Sequence, residues 1–133
     1  MGFGANPVRC YDEVVEAIST WDIGATGAHT KTSNIPGTQF ASVARTAAGK
    51  YTVTFSAGVP RGDLLALECF HQPAANAGPL NLRMTKASYT RESAALGQAT
   101  VLYEAWSVGT TPAQTELSNG DKVTLKAIWS KTR

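Results

Sequence analysis

Two stretches, KYTVTFS at residues 50–56 and KVTLKAIWS at residues 122–130, constrain the fold more than anything else in this chain. In the first, Tyr51, Val53 and Phe55 alternate with Lys50, Thr52 and Thr54. In the second, Val123, Leu125, Ala127 and Trp129 alternate with Lys122, Thr124 and Lys126. A period of two places each set on one face of a pleated strand, and burying the apolar face sets its register. QFASVART lies just upstream of the first stretch, across Ala47, Ala48 and Gly49, so the pair reads as a β-hairpin.

Further apolar or alternating runs occur at residues 64–71 (LLALECFH), 80–90 (LNLRMTKASYT) and 99–107 (ATVLYEAWS). Turn chemistry separates them: Gly58, Pro60 and Gly62; Pro73, Gly78 and Pro79; Gly97; Gly109 and Pro112; and Asn119-Gly120-Asp121. Near the N-terminus, Val15, Ala17, Ser19, Trp21 and Ile23 alternate over residues 12–23, where β-branched side chains favour a strand over a helix capped by Asp12. In the run around Tyr103, Val101 and Ala105 share its face, while Leu102, Glu104 and Trp106 lie opposite. A strand apolar on both faces is either central and covered by a loop or part of a subunit contact. Residues 24–37 hold three glycines, Ser and Thr clusters, Asn34 and Pro36, and read as a long loop and candidate contact surface. Residues 1–9 read as an extended N-terminal arm.

About seven short strands with spaced turns and no long helix predict an all-β, single-domain β-sandwich of jelly-roll-like type over residues 10–133. At 133 residues the chain can bury about two thirds of its unfolded surface, so its core forms without staples. Cys10 and Cys69 are read as free, packed thiols.

The same inventory argues against several functions. A net charge of +2 and aromatics interleaved mostly with threonine or aliphatics argue against nucleic-acid binding. No apolar run reaches membrane-spanning length, and nothing at the start reads as a secretory signal, which predicts cytoplasmic synthesis. The possible zinc ligands Cys10, His29, Cys69 and His71 lack paired spacing; only Cys69 and His71, at i and i+2, share a strand face. His29 and His71 are the only candidate general bases, and neither accompanies a GxSxG elbow. Glu68 and Glu104, placed facing one another across a sheet, are the carboxylate pair a glycosidase would need, but alternation assigns them to solvated faces. No phosphate-cradling glycine motif occurs. The reading is therefore of a non-enzymatic protein with no metal and no cofactor.

The order of features is more specific: an N-terminal strand, a Gly- and Thr-rich loop, FASVARTAAGKYTVTF at residues 40–55, and a last strand NGDKVTLKAIWSKTR. This resembles the small virion proteins of tailed bacteriophages, in which an apolar residue and a Val-Ala-Arg-Thr-like segment precede a Gly turn and Tyr-Thr-Val-Thr-Phe. The functional label it brings is capsid decoration, or cement, protein. The resemblance is close over residues 40–55, looser over the other strands, and departs at residues 56–79, which are richer in Gly, Pro and Ala. It rests on a hairpin signature rather than on catalytic residues.

The resemblance implies a protein on the capsid exterior that binds the major capsid protein, clamps neighbouring coat subunits and self-associates as a homodimer or homotrimer. The contacts it implies are Phe3, Pro7 and Val8 in the arm, and His29, Lys31, Ile35 and Pro36 in the long loop. The alternative is a tail- or fibre-associated receptor-binding β-module, for which exposed aromatics would cluster at loop tips. A small enzyme using Glu68 or Glu104 with His71 ranks last.

Overall fold

The computed structural model describes residues 14–35, 39–56, 64–75, 78–90 and 99–130. They form eight strands: β1 (Val14–Ile23), β2 (His29–Ile35), β3 (Phe40–Ala47), β4 (Lys50–Phe55), β5 (Leu64–Gln72), β6 (Leu80–Thr90), β7 (Thr100–Ser107) and β8 (Lys122–Ser130). One antiparallel sheet has the order β2-β1-β8-β5 and the other β3-β4-β7-β6. This is an all-β, two-sheet sandwich. Its hairpins β1/β2, β3/β4 and β6/β7 join consecutive strands, an order that does not itself carry the finer jelly-roll description.

The alternation found in the sequence is what closes the sandwich. From one sheet, Trp21, Leu67, Val123, Leu125 and Trp129 are buried; from the other, Phe40, Tyr51, Val53, Phe55, Val101 and Tyr103. Phe55 meets Trp129 edge-on across the gap, with ring centroids 5.1 Å apart. Each such large side chain contributes about 1.5–3 kcal/mol on burial, so these rows supply most of the driving force for folding.

The long loop expected at residues 24–37 is corrected by the structure. A short 3-10 turn at Ala25–Gly27 is followed by β2, whose seven residues pair with β1 from Ile23↔His29 to Ile18↔Ile35. HTKTSNI has no apolar alternation because the strand lies at a sheet edge, where its backbone is held by β1 and little of its side-chain surface need be buried. In the segment where the resemblance departs, the strand β5 lies at the opposite edge of the same sheet, against β8.

The doubly apolar strand is β7. It is central, between β4 and β6. Beyond the first residue of β4, residues 113–115 pair with β7 instead: Ser107 N–H donates to the Ala113 carbonyl (2.8 Å) and Thr115 N–H to the Ala105 carbonyl (3.0 Å). Trp106, on the outer face, is flanked by the Arg83 guanidinium 4.4 Å from its ring and bridged to Gln114.

The β3/β4 turn depends on Gly49, whose φ is +71°. A Cβ there would lie 2.9 Å from Thr115 N and 3.0 Å from the Ala105 carbonyl oxygen, both backbone atoms tied into the sheet. Gly49→Ala is expected to lower stability by about 2–3 kcal/mol, from left-handed strain plus overpacking. Urea unfolding checks this; a loss below about 0.5 kcal/mol would show that the turn relaxes freely.

Candidate functional site

Two polar clusters lie inside or at the rim of the sandwich, and each draws on residues distant in sequence. The first centres on Asp121, 1% exposed at the turn that opens β8. Its Oδ1 accepts from Ala74 N–H (2.8 Å); its Oδ2 accepts from Ser118 N–H (3.0 Å) and from His71 Nε2 (2.9 Å). His71 Nδ1 accepts from Leu80 N–H at 3.1 Å, so the ring proton is assigned to Nε2. Burial works to raise the Asp121 pKa, but the bonds from Ala74, His71 and Ser118 outweigh it and hold the carboxyl below its ordinary 3.8.

The second cluster joins β2, β3, β4, β7 and the segment before β8. His29 Nδ1 faces the Gly27 carbonyl at 2.8 Å and donates to it, so Nε2 accepts from the Tyr103 hydroxyl. The His29 ring lies 4.8 Å from that of Tyr51. Tyr51 donates to Glu116 Oε1 and accepts from Leu117 N–H (2.9 Å), while Arg45 Nε donates to Glu116 Oε2 (2.5 Å). Burial dominates the electrostatics: it pushes His29 down to about 4 and raises both tyrosines well above their ordinary range.

An open groove of about 550 Å³ touches both clusters. Leu80 and Ser118, which serve the Asp121 cluster, line it together with Glu116 of the second cluster and Val108.

The geometry defines what these groups can do. In a nucleophilic triad the histidine nitrogen away from the carboxylate must accept from the attacking hydroxyl. At His71 the Leu80 amide holds that nitrogen, so the pair works as a cross-link between β5, the β5–β6 connection and the β8 turn. Glu68 and Glu104 do not face one another: Glu68 is on β5 near Lys126 (4.0 Å), and Glu104 is on β7 in the other sheet, bonded to Thr85 (2.5 Å) and Gln114. Cys69 and His71 do share the inner face of β5, as their spacing predicted, but both are packed inside, and burial pushes the Cys69 thiol up to about 12. Among the described residues, no three His, Cys, Asp or Glu side chains gather into a metal-binding group.

The residues singled out as contacts separate in the structure. His29 turns inward to Tyr103. Lys31 lies opposite Trp21, its ammonium 5.9 Å from that ring and donating to the Phe40 carbonyl (2.7 Å). Ile35 pairs through its backbone with Ile18. Phe3, Pro7, Val8 and Pro36 lie outside the described residues. Tyr51, Tyr103, Glu116 and Asp121 were missed as site residues, because nothing local in sequence marks the convergence of strands that joins them. No protein-family model matches the chain, and no curated protein or solved structure matches it either.

Proposed function

We propose that the protein is a structural adhesion module of a phage virion, binding the outer surface of the head and clamping neighbouring coat subunits. The observation that carries this reading is β2. The segment singled out as a contact surface is an edge strand with exposed Thr30, Lys31 and Thr32, and one side of its backbone is turned away from β1. An edge strand backed by a rigid sheet suits main-chain pairing with an extended segment of a partner, and it loses little entropy on binding. The two polar clusters support the same reading, since their buried groups are spent on internal hydrogen bonds that stiffen the scaffold behind β2. The hairpin resemblance at residues 40–55 supplies the choice of partner, a coat protein.

Immunogold electron microscopy of particles from infected cells tests the reading, paired with a chain lacking residues 1–9. Regular label over the head is expected, with the truncated protein still folded and its head occupancy reduced about tenfold. Label confined to the tail tip would replace this reading with the receptor-binding one. No label on particles would sink both.

A further inference from the structure

Four strands form the sheet edges, and they differ in how long and regular a ladder each can offer to a second copy of the same edge. The pairing of β2 with β1 shifts register at Thr20/Trp21, and β2 bears Lys31, drawn back over Trp21. β3 shifts register twice, at Phe40/Ser42 and Arg45/Ala47, and β6 carries Arg83 and a shift at Thr85/Thr90. β5 differs. Its one irregularity is at Leu64/Ala66, after which Ala66 to Gln72 pair with β8 in unbroken register. That run is the longest regular stretch on any of the four edges. Glu68, the only Asp, Glu, Lys or Arg on β5, lies 4.0 Å from Lys126 of β8. Of the three large apolar residues most exposed among the described ones, two are on β5: Leu65 and Phe70, each 55% exposed.

We infer that β5 is a self-association edge, pairing antiparallel with β5 of a second copy about a two-fold axis at Phe70. The occupant follows from self-complementarity. A two-fold at Phe70 sets Phe70 against the second copy's Phe70 and Glu68 against its Gln72, so no like charges meet. A two-fold at Glu68 would oppose two carboxylates. Pro73, which has no N–H to donate, ends the ladder just beyond Gln72. The result is one continuous sheet running β2-β1-β8-β5 and onward through the second copy, which leaves β2 at both outer ends. The dimer does not depend on the head-shell reading: it forms in purified protein with no coat subunit present. Because the paired stretch is short, it is weak and concentration-dependent.

Sedimentation equilibrium of the full chain, up to about 100 µM, tests this against two variants. Phe70→Lys places two ammonium groups across the axis and is expected to weaken the dimer by at least about tenfold, with its thermal unfolding unchanged because the side chain is exposed. Thr30→Lys on the opposite edge should leave the dimer intact. A native chain that stays monomeric throughout, or an oligomer that Phe70→Lys does not weaken, would overturn the proposal.

Discussion

Asp121→Ala is expected to be among the most damaging single substitutions in the molecule, lowering stability by about 3–5 kcal/mol. The carboxylate is 1% exposed and is the common acceptor for the Ala74 and Ser118 amides and for His71 Nε2. Truncation leaves three donors without their acceptor, the nearly buried His71 imidazole among them, and opens a void. The surrounding backbone cannot easily move to compensate, because the same turn is tied to β1: Ile23 N–H donates to the Asp121 carbonyl (2.9 Å) and Gly120 N–H to the Ile23 carbonyl (2.8 Å). Asp121→Asn keeps the volume but replaces one acceptor oxygen with a donor, so it should fall between alanine and the native residue. Urea unfolding at neutral pH measures both. A loss of less than about 1 kcal/mol for the alanine variant would mean that water replaces the carboxylate and that the cluster is not the cross-link described.

The second large effect is acid lability traced to His29. Burial depresses its pKa from 6.5 to about 4, so between those values the unfolded chain takes up a proton that the folded chain refuses. Stability therefore falls with pH across that window. A group depressed from 6.5 to about 4 removes roughly 3 kcal/mol by the lower end. The structural reason is visible at Nε2. It accepts from Tyr103, and a proton there would set a cation against a buried hydroxyl whose own donated bond is lost. Asp121 acts in a separate window: its folded pKa lies below 3.8, so its contribution is retained until the pH drops beneath that value. Urea midpoints measured from pH 7 to pH 4.5 in the native chain and in His29→Gln separate the two. The variant should be less stable at pH 7 yet show a shallower decline, and parallel slopes would refute the assignment to His29.

Much of the fold was readable along the chain. β4, β7 and β8 alternate with a period of two, and one row from each is buried: Tyr51, Val53 and Phe55; Val101, Tyr103 and Ala105; Val123, Leu125, Ala127 and Trp129. β2 was not readable. As an edge strand it needs no buried stripe, so HTKTSNI carries the composition of a loop, and its strand conformation is imposed by β1. The partner of His71 was not readable either. Periodicity puts His71 on the inner face of β5 with Leu67 and Cys69, but what makes burial of an imidazole tolerable is the Asp121 carboxylate fifty residues away.

The sequence by itself determined the all-β character, most strand positions and the two-faced register, because a period of two and turn residues act over a few neighbours and need no tertiary partner. Only the tertiary structure decided the strand order, the edge role of β2 and β5, and the joining of His29 to Tyr103 and of His71 to Asp121. Those features depend on side-chain and backbone groups 50 to 74 residues apart meeting within hydrogen-bond reach, and no local pattern encodes that distance.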